Sequence, residues 1–134
     1  MELAVGDIIH IFVNDTKPPK NKFVVILGID GDKVELLTVF INKSINTNIY
    51  KTQYQQGLCY KIYQSDYSFL AFDSFIDLNH TVTRPKNDLD WVLNNRATAK
   101  KATLTPDHLK EIRELIHLNR TIKGKDCKKF GFFL

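Results

Sequence analysis

The sequence predicts a mainly β fold, a small and strongly curved barrel with its helices towards the C-terminal end. Three observations predict it. Runs of β-branched and aromatic residues without helical periodicity fill the first two-thirds of the chain. Five or six of these runs are short and joined by long connections, which suits a curved barrel better than a flat sheet. Helix-start signals and amphipathic spacing occur only after residue 85. With 134 residues, 43% of them apolar and 25% charged, the chain fits a single domain spanning 1–134. A chain of this length buries about two-thirds of the surface it exposes when unfolded, enough to fold alone.

The elements follow in order. Residues 7–13 (Asp-Ile-Ile-His-Ile-Phe-Val) read as a strand buried on both faces. Residues 14–20, with Pro18-Pro19, form a loop. Residues 22–29 (Lys-Phe-Val-Val-Ile-Leu-Gly-Ile) are the clearest strand. Asp30-Gly31-Asp32 supplies a residue that tolerates positive φ, and 33–41 return as the second arm of a hairpin. Residues 42–48 are polar and rich in side chains that bond their own backbone, hence an irregular loop. Further short strands are expected at 58–63, 67–71 and 75–78, with Asp73-Ser74 marking a bulge or corner between the last two. Asp88 is expected to cap a short helix ending at Asn95, with Leu89, Val92 and Leu93 on its apolar face. Thr105-Pro106-Asp107 combines an N-cap hydroxyl, a proline and a first-turn acid. It opens an amphipathic helix near 105–118 that buries Leu109, Ile112, Leu115, Ile116 and Leu118 and turns Lys110 and Arg113 to solvent. The extension 119–134 is basic and then apolar (Phe130-Gly131-Phe132-Phe133-Leu134), so its end is expected to pack as a strand or against a partner.

Composition narrows the function classes. No stretch approaches the roughly 18 apolar residues of a membrane span. The first seven residues carry an acid and no basic region, unlike a secretory signal. A cytoplasmic protein with both thiols, Cys59 and Cys127, free is therefore expected. His10, His80, His108 and His117 share no metal-ligand spacing, so no metal is expected. The net charge of +4 is unevenly placed: residues 1–83 carry seven basic and nine acidic side chains, residues 84–134 twelve and six. A basic C-terminal third suits a polyanion or an acidic partner, or is simply a lysine-coated surface.

Several strings resemble the MazF/PemK family, the toxins of type II toxin–antitoxin modules. Gly6-Asp7-Ile8-Ile9 is similar to that family's opening strand. Lys22-Phe23-Val24-Val25-Ile26-Leu27 is similar to its valine-rich second strand, where the family usually has Arg-Pro before the strand. Ala99-Lys100-Lys101-Ala102-Thr103-Leu104-Thr105-Pro106, followed by Leu109, resembles the approach to its C-terminal helix. In outline the resemblance covers 6–118, and 119–134 extend beyond the family's usual end. It implies a small SH3-like barrel (CcdB/MazF/PemK type), a homodimer, and metal-independent cleavage of single-stranded RNA with no cofactor. It also implies neutralisation by an acidic antitoxin peptide.

The implied reaction is attack of a ribose 2′-hydroxyl on the adjacent phosphate, which needs a base, donors for the charged phosphorane and an acid for the leaving oxygen. By resemblance the family's arginine falls on Lys22, its threonine or serine near Ser44, and its acidic residue on Asp73. The arginine of its Arg-x-Asp string falls on Ala71. Lys22 brings charge without the planar donor fork of arginine. With Ala71 in the other place, the second cation has to come from Lys20, Lys43 or Arg84, or is absent.

Each residue also has a plainer reading. Lys22 fits a solvated charge at a strand entrance, Ser44 a brace for its loop, Asp73 a turn-forming acid and His10 a structural strand residue. Tyr50, Tyr54, Tyr60, Tyr63 and Tyr67 interleave with Lys51 and Lys61 as an RNA-stacking face does, and as ordinary barrel strands do. Two functions follow. One is a toxin-type endoribonuclease. The other is a non-catalytic nucleic-acid- or peptide-binding module on the same barrel, which the alanine at 71 favours.

Overall fold

A computed structural model describes residues 2–131. Seven antiparallel strands form one strongly curled sheet: β1 (Asp7–Val13), β2 (Lys20–Ile29), β3 (Glu35–Asn42), β4 (Cys59–Ile62), β5 (Ser74–Asp77), β6 (Val82–Pro85) and β7 (Lys100–Thr103). Their order is β4-β5-β3-β2-β1-β7, with β6 also paired to β3. Among the described residues there are also four α-helices, α1 (Gln53–Gly57), α2 (Lys86–Asn95), α3 (Pro106–Asn119) and α4 (Gly124–Phe130), and a 3-10 turn at Ala97–Ala99. The expected mainly β architecture with its longer helices late in the chain is what the structure has.

The sheet separates two apolar clusters, which is why β1 and β2 lack a clean alternation. Ile8, Val25, Leu27, Leu37, Val39, Ile41 and Ile76 pack with Ile112 and Ile116 of α3 and Phe130 of α4. Ile9, Ile11, Val13, Val24, Ile26 and Leu36 pack with Leu89 and Leu93 of α2. Phe12 is the exception to a strand buried on both faces, at 60% exposure. The predicted hairpin is present, with Phe23 opposite Ile41 and Val25 opposite Val39. The register slips between Ile26 and Gly28, and such a bulge deepens the curl. In the turn, Asp30 Oδ1 accepts the N–H groups of Val34 (2.7 Å) and Glu35 (3.2 Å). Positive φ falls at Lys33 (58°), outside the Asp30-Gly31-Asp32 triplet. Gly6 (φ 95°) is where glycine is required, since its N–H bonds Ile26 O and its carbonyl accepts Leu104 N–H.

Several expectations are corrected. Residues 67–71 are not a strand. Tyr67 N–H bonds Tyr63 O and Leu70 N–H bonds Tyr67 O, so local turns take the place of a ladder. Tyr67 itself is buried, its hydroxyl 2.6 Å from His108 Nδ1 and accepting Thr105 N–H. α2 begins at Lys86, after Pro85, so Asp88 sits in the first turn and does not cap it. Thr105 does cap α3, accepting His108 N–H, but Leu118 is 78% exposed. Arg113 is not fully turned to solvent, because its guanidinium donates to Gly131 O at 2.9 Å. The basic tail is helical: Arg120 (φ 49°) ends α3, Ile122 enters the core, and α4 then buries Phe130. Phe132, Phe133 and Leu134, the rest of the predicted apolar end, lie outside the described residues. The short segments α1, β6 and β7 had no signal in the sequence reading.

Candidate functional site

The N-terminal half of β2, the end of β3, the 43–50 loop and β5 enclose an open cleft of about 660 Å³. Lys22 reaches it because β2 lies antiparallel to β3, leaving Lys22 beside Asn42, whose Oδ1 accepts from the ammonium at 2.5 Å. The same ammonium lies 5.3 Å from the centroid of Phe40, on the next turn of the pleat. Asn42 pairs with Phe75 of β5, and the two-residue period puts Asp77 on the face of Phe75.

Asp77 is 6% exposed, and both its oxygens accept hydrogen bonds. Its Oδ2 accepts the Tyr50 hydroxyl at 2.5 Å, and its Oδ1 accepts Asn79 N–H at 2.9 Å and Asn79 Nδ2 at 3.2 Å. The Tyr50 bond ties the end of the 43–50 loop to β5. Within the loop, Asn46 O accepts the N–H groups of Ile49 and Tyr50. Behind it α1 is fixed by a reciprocal Thr52–Gln55 capping box.

The electrostatics follow from burial and neighbours. Burial lowers the hold of Lys22 on its proton and the charge of Lys20 lowers it further, against the opposing pull of Asp77. Burial, followed by the bond to Asp77, pushes the Tyr50 phenol up, so it stays a donor at neutral pH. Burial raises the Cys59 thiol to about 11, which makes it a poor nucleophile. His10 is held below its ordinary value by burial and by the charges of Lys101 and Arg96. Its ring lies 4.7 Å from that of Phe23. Among the described residues no group of three His, Cys, Asp or Glu side chains is placed to hold a metal.

Of the residues singled out in the sequence, Lys20, Lys22, Lys43 and Ser44 line this one cleft, and Ala71 lies in its wall. His10, read as a plain strand residue, lines it too. Asp73 does not line the cleft, although its neighbours Phe72 and Ser74 do; its Oδ1 accepts Gln64 N–H at 2.9 Å. Arg84 belongs to a second groove of about 900 Å³ between α2 and the β1–β2 loop. There it pairs with Asp15 at 3.1 Å, donates to Thr38 Oγ1 and lies 5.4 Å from the centroid of the Phe40 ring. Of the tyrosines, Tyr67 is buried, Tyr60 bonds Glu111, Tyr54 bonds Asn119 O, Tyr50 bonds Asp77, and Tyr63 is exposed with the Lys61 ammonium 5.2 Å from its ring centroid. The sequence reading missed Asp77. Its signal was the alternation Phe75-Ile76-Asp77, which puts an acid where an apolar strand residue is expected. No family model matches the chain, and no curated protein matches it in sequence.

Proposed function

We propose that the cleft binds single-stranded RNA and cleaves it without a metal, as an endoribonuclease of the MazF/PemK toxin type on an SH3-like barrel. One observation carries the reading. Three lysines from separate positions, Lys20, Lys22 and Lys43, converge with Ser44 on a cleft whose floor holds the carboxylate of Asp77. Lysines track a phosphate backbone, a strand-end hydroxyl donates to a phosphoryl oxygen, and a carboxylate beside a cation supports proton transfer. Among the described residues neither Lys20 nor Lys43 is paired with a carboxylate, so both charges face the cleft unneutralised. The curled antiparallel sheet with α3 packed on one face supports the barrel assignment. A homodimer and an acidic antitoxin peptide come with this reading, as does a cytoplasmic site of action.

A second reading has its own support. Ala71 stands in the cleft wall where the resemblance calls for arginine, and a cleft short of one guanidinium suits a module that grips RNA and leaves it whole. Incubation of the purified chain with mixed-sequence single-stranded RNA in excess chelator tests both. The nuclease reading expects fragments ending in 2′,3′-cyclic phosphate; intact RNA that shifts on a native gel supports the binding module, and neither result discards the RNA cleft.

A further inference from the structure

We propose that the second groove, between α2 and the β1–β2 loop, docks an extended proline-rich segment of a partner protein that carries a basic residue. Trp91 and Phe12, at 67% and 60% exposure the two barest large aromatic side chains among the described residues, both line it. Exposed aromatics gathered in one concavity mark an interaction surface, unlike apolar residues scattered singly. Beneath them the groove reaches Ile11, Val13 and Leu89 of the second apolar cluster. On α2, Asp88, Trp91, Val92 and Asn95 stand at helical spacing and form one stripe along the groove. From Asp88 to Asn95 that stripe is about 10 Å long. One turn of a polyproline II helix is roughly 9 Å, so two prolines three positions apart span it.

The polar lining selects the occupant. The indole N–H of Trp91 and the side-chain amides of Asn14 and Asn21 have no hydrogen-bond partner among the described residues. The Arg96 guanidinium gives one bond, to His10 O at 2.7 Å, and keeps its other donors. A groove with donors in excess fits a chain rich in acceptors. A polyproline II segment is such a chain, because its carbonyls make no internal hydrogen bonds and its prolines have no N–H. Its rings dock on aromatic side chains, and its stiffness lowers the entropic cost of binding. Charge selects the flanking residue. Arg84 is already paired with Asp15, whereas Asp88 has no cationic partner among the described residues. Asp88 lies in the first turn of α2 and Arg96 just past its end, so the ligand's cation belongs at the Asp88 end. With Asp15 and Asp88 against Arg84 and Arg96, the groove has no net charge and is not a phosphate track.

Trp91 is the only tryptophan of the chain, so its emission reports on this groove. The probe is a synthetic peptide with two prolines three positions apart, flanked by an arginine on each side. One control replaces the prolines with alanine, and another replaces the arginines with glutamate. Titrating the probe into the full chain is expected to move the emission to shorter wavelength and to saturate, as the indole leaves water. The alanine control is expected to bind at least about tenfold more weakly, since it is not pre-organised. Read by anisotropy of labelled probe, Trp91→Ala is expected to weaken binding by at least about tenfold. Asp88→Lys is expected to weaken it by about three- to fivefold, and to bind the glutamate control better than the unsubstituted protein does. Both side chains are exposed, so neither change opens the core. Equal affinity for the alanine control, or no loss at Trp91→Ala, overturns the proline site. A glutamate control that binds the unsubstituted protein as well as the probe does overturns the assignment of Asp88. Emission that shifts with protein concentration alone means that a second copy covers the groove, and overturns the proposal. So does the absence of any saturable change with the probe. None of these results depends on whether the chain cleaves RNA.

Discussion

Lys22 illustrates how much one residue's environment decides. The sequence shows a lysine at a strand entrance. Whether it is solvated or built into a site depends on Asn42 and Phe40, which only the β2–β3 register brings to it, and on Lys20 two residues before it on β2. Its lowered affinity for a proton has a consequence for stability. Between its value in the folded chain and the ordinary 10.5, the unfolded chain binds the proton more fully, so stability rises with pH across that window. Urea unfolding at a series of alkaline pH values is expected to show this rise, and Lys22→Met to flatten it. Asp30 acts with the opposite sign. The N–H groups of Val34 and Glu35 hold its carboxyl below the ordinary value, so its contribution is present above pH 3.8 and fades as pH falls through the folded value. Asp30→Ala is expected to lower the melting temperature at pH 6 and to narrow the difference between pH 6 and pH 3. Equal losses at both pH values contradict this. The turn was legible in Asp30-Gly31-Asp32; Asp77 was not, because its partner Tyr50 comes from a distant segment.

At the scale of elements, local chemistry was readable where it was self-contained. Thr105-Pro106-Asp107 announces α3 because cap, proline and acid act within one turn. Thr105→Ala is expected to cost about 1 kcal/mol in chemical denaturation. The β2–β3 hairpin was equally plain. Residues 67–71 misled because an aromatic run has strand character wherever it occurs, while here Tyr67 is fixed by His108 and the start of α3. The tail misled for a related reason. Lysines at 123, 125, 128 and 129 hide a helix that buries Phe130 in the main cluster and packs Cys127 against it, and Lys129 bonds Glu35. Phe130→Ala is expected to destabilise the fold by about 3 kcal/mol, measured by urea unfolding. A loss below about 0.5 kcal/mol means that α4 does not belong to the cooperative unit.

The molecule as a whole joins a basic surface to a curled sheet whose two faces are both covered, leaving a cleft at the end of β2 and β3 as its most chemically dressed concavity. The MazF/PemK resemblance pointed to this region through Lys22 and Ser44, and the fold brings both to one cleft with Lys20 and Lys43. Asp73, named by the same resemblance, does not line the cleft, because a short string carries position along the chain and not the direction in which a side chain leaves the backbone; Arg84, weighed as a stand-in for the arginine missing at Ala71, lies in the other groove. Three lysines facing one strand predict a slope of about −2 for the logarithm of RNA affinity against the logarithm of salt concentration. A slope near zero means that the cleft does not neutralise phosphates. The most direct measurement remains the fate of the RNA itself. End-group analysis after exposure to the protein and excess chelator is expected to find new 2′,3′-cyclic phosphate and 5′-hydroxyl termini, with yields that collapse for Lys22→Met. RNA recovered at full length across a broad range of sequences contradicts the account.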